Sequence, residues 1–196
     1  MSKFNSQLPK IMLKMNKVKY GKGLKLVGWP FIFRFSQASL EIGEDCAINS
    51  NFLSNLIGLY QRTIIIARDK GTVRIGSHVG ISGSTLYARE LIEVGDYSVI
   101  GANCKIFDND FHSLNPEERK ADIYDHLVTR PVKIGKNVFI GCNCIILKGT
   151  VIGDNCIIGA GSVVHGTFES GSVIAGNPAK VIKKTGGQIQ EGNVEL

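Results

Sequence analysis

The first forty residues contain no acidic side chain, only seven lysines and Arg34; the first carboxylate is Glu41. The net charge of +6 therefore belongs to that segment, because the remainder holds 15 basic against 17 acidic residues. No apolar run approaches the roughly 18 residues of a membrane span. The opening MSKFNSQLPK also lacks the continuous apolar stretch of a signal peptide. A soluble cytoplasmic chain with no nucleic-acid partner is the expectation. Charged residues make up 20% and hydrophobic ones 43%, which excludes disorder and leaves enough material for the core of one domain. Five cysteines cannot all pair, Cys142-Asn143-Cys144 points to a metal or redox site only with partner ligands at a matching spacing, and His78, His126 and His165 lack a His-x-x-x-x-His pairing, so no metal is expected. Five prolines stand against 23 glycines in 196 residues, an unusual demand for glycine backbone.

What is abundant is repetition. In steps of six the sequence reads Ile134, Ile140, Ile146, Ile152, Ile158 and Val164. The period recurs in shifted frames at Ile42 and Ile48, at Ile75 and Ile81, and at Val94, Ile100 and Ile106. Glycine follows the aliphatic residue at Gly43, Gly76, Gly95, Gly101, Gly135, Gly141, Gly153 and Gly159, as expected where close backbone approach excludes a side chain. A small or β-branched residue stands four places after it: Cys46, Val79, Thr85, Ser98, Cys104, Val138, Cys144, Thr150, Cys156 and Ser162. A period of six fits neither a 3.6-residue helix nor a heptad. One unit is a short strand plus a corner; three units close a triangular coil of 18 residues, and coils stack about 4.8 Å apart. The fold class is all-β, a parallel β-helix. Cys46, Cys104, Cys144 and Cys156 read as small core residues, with Cys142 outside that pattern.

Some pieces are not coil. Residues 6–18 place Leu8, Ile11, Met12, Met15 and Val18 at helical spacing, with Lys10, Lys14 and Lys17 opposite. This amphipathic helix caps the open end of the coils, the alternative being contact with an anionic membrane surface. Residues 24–35 alternate as a first irregular coil with Trp29-Pro30 at a corner. The expected organisation is a helix over 1–18, coils over 19–112, one excursion loop over 113–131, coils over 132–182 and a polar, mobile tail over 183–196.

Over about residues 40–184 the chain resembles the hexapeptide-repeat acyltransferases, in particular maltose- and galactoside-type sugar O-acetyltransferases and those of polysaccharide biosynthesis. The resemblance implies left-handed coils, acetyl-CoA as co-substrate, and a homotrimer with active sites between subunits. It also implies direct transfer to a hydroxyl of a sugar or glycan precursor. N-acetylation of an amino sugar and a non-catalytic β-helix scaffold are the alternatives.

The segment from His112 through Ser113-Leu114-Asn115-Pro116-Glu117-Glu118-Arg119 is similar to the family stretch whose histidine is the general base, which gives that role to His112. Imidazole suits the task, because its unperturbed pKa lies near 6.5. Asp108 and Asp110 are candidates to orient the imidazole or to bind acceptor hydroxyls. Ser82, then Ser84, are the nearest counterparts of the family's acceptor-binding asparagines. Phe139 matches the aromatic residue lining the pantetheine channel. The Cys142 N–H matches the oxyanion donor, with no reactive role for its thiol, and the Ala160 backbone follows one coil later. The closing Gly176-Asn177-Pro178-Ala179-Lys180-Val181-Ile182-Lys183 is nearly the family's terminal signature, and Lys180 and Lys183 are the candidates for the CoA phosphates.

Overall fold

The computed structural model describes residues 7–121 and 127–185. After helix α1 (Gln7–Met15) the first coil is β1 (Lys19–Tyr20), β2 (Lys25–Gly28) and β3 (Phe31–Arg34). The second is β4 (Ser39–Ile42), β5 (Ala47–Ser50) and β6 (Ile64–Ala67), and the third is β7 (Thr72–Ile75), β8 (Gly80–Ser82) and β9 (Thr85–Ala88). The fourth, β10 (Leu91–Val94), β11 (Val99–Ala102) and β12 (Lys105–Phe107), precedes the excursion with its short helix α2 (Pro116–Lys120). Next come β13 (Val132–Ile134), β14 (Phe139–Ile140) and β15 (Ile145–Ile146), then β16 (Val151–Ile152), β17 (Ile157–Ile158) and β18 (Val163–Val164). The chain ends in β19 (Thr167–Phe168), β20 (Ser172–Gly176) and β21 (Ala179–Lys184).

Every third strand pairs in parallel, giving three faces: sheet A begins with β1, sheet B with β2 and sheet C with β3. The coils wind left-handed. The repeat dictates the register. Ile134 lies over Ile152, Ile140 over Ile158 and Ile146 over Val164. The resulting aliphatic columns are buried throughout, and each such side chain contributes about 1.5–3 kcal/mol.

The corners explain the other repeat positions. A Cβ on Gly95 would stand 2.5 Å from the carbonyl carbon of Gly135 in the next coil, so glycine is needed there for space. Two residues later the backbone turns left-handed, often at asparagine: Asn103, Asn137, Asn143 and Asn155 have φ of 53–63°. The small inward residue then donates to a corner carbonyl of the next coil. Ser98 Oγ reaches Gly135 O at 2.9 Å, and the Cys104 and Cys144 thiols reach Gly141 O and Gly159 O at 3.1 Å. These cysteines are therefore buried donors as well as fillers. The hydrogen bond shared with Cys144, together with burial, pushes the Cys104 thiol up, and burial does the same to Cys46. Neither is a nucleophile.

Several readings change. The helix is shorter than residues 6–18, residues 1–6 lying outside the described part, and it docks through the buried Pro9 and Leu13. Leu8, Ile11, Met12 and Met15 are exposed, and Val18 is buried beyond the helix end, past the left-handed Lys17. In the first coil Ile32 faces inward while Phe31, Phe33 and Phe35 lie outside. The inward small residue of the third coil is Ser84 and not Thr85, because Ile81 and Leu86 are five residues apart, not six. A second excursion, 51–63, interrupts the second coil and opens with a 3₁₀ turn over Phe52–Ser54. β21 folds back antiparallel on β20 where another coil would lie. The expected mobile tail beyond Thr185 falls outside the described residues. Among those residues, no helix is long and apolar enough to cross a membrane.

Candidate active site

The excursion that carries His112 leaves the prism at the edge between sheets C and A. Its base is tied down by a buried carboxylate. Asp108 accepts from the backbone N–H groups of Arg89, Glu90 and Leu91 at 2.7–3.1 Å and from Asn109 Nδ2 at 3.1 Å. It is fully buried. The expectation that Asp108 meets an acceptor hydroxyl is therefore corrected, since its oxygens hold the preceding corner in place. Arg130 N closes the loop onto Asp108 O at 2.8 Å, and Asn109 bridges to Thr129.

The residues after this anchor fold into a compact capped turn. Phe111, at φ 60°, packs its ring against Tyr87 and Phe107 with centroids 5.0 and 5.4 Å away. The His112 N–H donates to Asp110 O at 2.7 Å. Asn115 then caps α2, its Oδ1 accepting from Glu117 N at 3.0 Å, and Pro116 takes the first helical position. Ser113 Oγ donates to Glu118, while Arg119 Nη1 holds Ser113 O and Leu114 O at 2.8 Å. The motif following His112 is thus a self-bonded turn that presents the exposed imidazole on a fixed backbone.

Asp110 does not face solvent alone: its carboxylate pairs with the Lys148 ammonium. Lys148 escaped the sequence reading, although a signal was present. Ile106 and Ile146 are register partners, so the second residue after Ile146 lies over Asp108, beside Asp110.

The backbone candidates lie on another edge, between sheets B and C. A Cβ on Gly141 would stand 2.6 Å from Ala160 N, which places the Cys142 and Ala160 corners directly one above the other. Gly161 N donates to Cys142 O at 2.9 Å. Among the described residues, neither the Cys142 N–H nor the Ala160 N–H has an acceptor. Two aligned donors on a surface edge suit a chain of carbonyl oxygens. Beside them, on the outer face of sheet B, Phe139 is 51% exposed and flanked by Val99 and Ile157. Lys180 and Lys183, both exposed, lie on β21 at the end of the same sheet. An apolar strip, paired amide donors and terminal cations suit a ligand that combines an apolar chain, carbonyl groups and anionic groups.

Ser82 and Ser84, the acceptor candidates, are both buried. Ser84 Oγ donates to Gly101 O at 2.8 Å and accepts from Cys104 N at 2.8 Å inside the core. Ser82 is buried under the 51–63 excursion and accepts from Asn49 Nδ2 at 3.2 Å. That excursion is clamped by Asn103 Nδ2 to Gly58 O at 2.8 Å and by Gln61 Nε2 to Gly83 O at 2.9 Å. His126 lies outside the described residues, and no group of three metal-ligating side chains occurs among those described.

Within one chain the two halves of the site do not meet. His112 and the Cys142–Ala160 donors are separated by the width of sheet C, roughly 15 Å or more for a six-residue side. Proton transfer needs about 3 Å. The outer face of sheet C is largely apolar, with Phe31, Phe33, Ile64, Ile66, Tyr87 and Phe107, and carries Thr85 and Lys105 among them. That of sheet A carries ion pairs instead, Lys19 with Glu41 and Arg74 with Glu93.

Residues 131–166 match the bacterial transferase hexapeptide (six repeats) family. Nodulation protein L of Rhizobium leguminosarum bv. viciae is 41% identical over 118 residues, 60% of this chain and 59% of that protein, so the match spans less than two thirds of the relative. The putative lipopolysaccharide biosynthesis O-acetyl transferase WbbJ of Escherichia coli K12 is 28% identical over 171 residues, 83% of this chain and 80% of that one. Among solved structures, a variant of AntD, an N-acyltransferase from Bacillus cereus in complex with dTDP-4-amino-4,6-dideoxyglucose and coenzyme A, has a TM-score of 0.69 at 26% identity. That alignment covers 94% of this chain and 91% of AntD.

Proposed function

We propose, from the premise that this chain is a hexapeptide-repeat β-helix resembling the acyltransferases built on that repeat, that it is a CoA-dependent acetyltransferase acting on a hydroxyl of a sugar or surface-polysaccharide precursor. The observation that carries the reading is the pair of stacked amide donors at Cys142 and Ala160, open beside Phe139 and below the lysines of β21.

In the reaction the acceptor oxygen attacks the thioester carbonyl and passes its proton to His112. The Cys142 N–H stabilises the negative charge that develops on the carbonyl oxygen. The C–S bond then breaks, the acetyl group stays on the acceptor, and CoA leaves as a thiolate that takes up a proton. No acyl-enzyme forms, and the Cys142 thiol takes no part. Asp110, bound to Lys148, sets the backbone on which His112 sits.

The separation of His112 from the donor edge supports a homotrimer whose sites lie between subunits, each taking its base from one chain and its CoA groove from the next. The apolar outer face of sheet C supports the same assembly. Subunit complementation tests it. His112→Ala and Phe139→Glu chains, each inactive alone, are mixed and reassembled while CoA release is followed against hydroxyl and amino sugars. Recovery of activity in the mixture, with a trimeric mass by light scattering, is the expected result. No recovery, or a monomeric mass, rejects the shared site. N-acetylation of an amino sugar is the second reading, favoured by the likeness to AntD. It takes over if only amino sugars release CoA.

A further inference from the structure

The arrangement of α1 serves no internal purpose that its composition would suggest. The helix meets the coil stack through Pro9 and Leu13, and Arg34 Nε holds the turn after it by donating to Asn16 O at 3.0 Å. Leu8, Ile11, Met12 and Met15 point the other way, 49–78% exposed. At ~100° per residue these four fill a single arc about 100° wide, with Lys10 and Lys14 on an adjoining arc. Lys14, Lys17, Lys22 and Lys25 are exposed as well. Among the described residues, none of Lys10, Lys14, Lys17, Lys22 and Lys25 has a carboxylate partner; the ion pair of this region is Lys19 with Glu41.

A surface helix normally turns its apolar stripe toward the core. Here the stripe faces outward and is bordered by unpaired cations, the pattern of a helix lying in the headgroup layer of an anionic bilayer. We propose that α1 and its flanking lysines dock this chain on an anionic lipid surface, with Leu8, Ile11, Met12 and Met15 entering the acyl boundary. Charge decides between occupants. A second copy meeting the helix about a rotation axis would bring Lys10, Lys14 and Lys17 against their own copies, with no carboxylate on α1 to compensate; the nearest acids, Glu41, Glu44 and Asp45, lie on the next coil beside Lys19 and Lys22. An anionic lipid surface pairs with the three lysines of the helix and its end. The helix lies on the bilayer, because nine residues reach about 13 Å against a hydrocarbon core of about 30 Å. Each lysine near such a surface strengthens binding about fivefold.

Sedimentation of the full-length protein with lipid vesicles tests this. Vesicles of phosphatidylcholine alone are compared with vesicles containing about one-third phosphatidylglycerol. The protein is expected to pellet with the anionic vesicles and to be released at about 0.5 M salt. Met12→Ser with Met15→Ser should lower partitioning by about tenfold or more, and Lys14→Gln with Lys17→Gln by a similar factor. All four side chains are exposed, so the melting temperature and light-scattering mass of both variants should match the wild type. Failure of the wild type to bind, equal binding to neutral and anionic vesicles, or a serine pair that pellets like the wild type overturns the proposal. A serine pair that changes mass while keeping vesicle binding also overturns it, because the stripe then belongs to a contact between copies.

Discussion

The two halves of the prism follow different rules. From Val132 to Val164 the strands are two or three residues long, the inward aliphatic residue recurs every six, and nothing is inserted. From Lys19 to Phe107 the strands run mostly to four residues, the frame shifts between coils, and an excursion leaves at 51–63 before the larger one that follows Phe107. The regular half offers chemistry through its backbone, since the Cys142 and Ala160 donors align only if successive coils are the same length. The irregular half supplies side chains, because an imidazole must be carried out on a loop whose base is anchored separately. Under the function proposed above, repetition builds the groove and interruption carries the reacting group.

Substitutions can break this division. The largest effect is expected at His112. If the excursion supplies the base, His112→Ala lowers kcat by roughly 10²–10⁴, about 3–5 kcal/mol, while the melting temperature and CoA affinity stay near wild type. Steady-state kinetics with calorimetry reads both, and unchanged turnover on an identified acceptor would move the base elsewhere. Next is the regular core. Ile146 is fully buried, so Ile146→Ala should cost about 2–5 kcal/mol of unfolding free energy. Leu56→Ala, on the 51–63 excursion and 89% exposed, should cost less than about 0.5 kcal/mol. Equal costs in denaturant titrations would erase the distinction between scaffold and insertion.

A fourth substitution addresses the anchor. Asp108→Ala leaves the N–H groups of Arg89, Glu90 and Leu91 without their acceptor, and about 2–3 kcal/mol of stability should go with it. Turnover falls too, through misplacement of His112, but CoA binding at the other edge persists. Loss of CoA binding alone would contradict that order. The smallest effect is at Asp96. The Ser77 N–H and then Lys136 hold its carboxyl below the usual range. A depressed folded value gives stability that is present above the unfolded pKa and is lost as pH falls through the folded one. Asp96→Asn should therefore cost about 0.5 kcal/mol at neutral pH, and the difference from wild type should vanish in acid below the normal carboxylate range. A gap that widens in acid would refute the assignment.

The sequence was most readable where one physical requirement repeats. The step of six from Ile134 to Val164 has one explanation, and the buried columns, the corner glycines and the inward cysteines follow from it. It was least readable where two explanations share a residue. Asp108 and Asp110 look alike on paper, yet one is consumed by three backbone amides and the other by Lys148, a partner 38 positions away. Ser84 was a candidate through the family resemblance while the step of six put Thr85 inward; the five-residue step after Ile81 shifts the inward position by one, and only strand register reveals the shift. α1 was legible as amphipathic, but periodicity says nothing about which stripe meets the body. Leu13, absent from the stripe read off the sequence, is with Pro9 the docking contact.

A stack of in-register coils has no intrinsic length, and its last strand would accept another strand from any neighbouring molecule. β21 removes that opportunity by reversing direction, so that the terminal edge no longer offers the parallel ladder of the prism. Lys180, Lys183 and Lys184 then stud the final strand, and charge on an edge strand is among the devices that keep sheets from growing end to end. Under the function proposed above, the closing lysines would have two duties, one toward coenzyme phosphate and one against filament growth. Neutralising them would trade some coenzyme affinity for a tendency to polymerise.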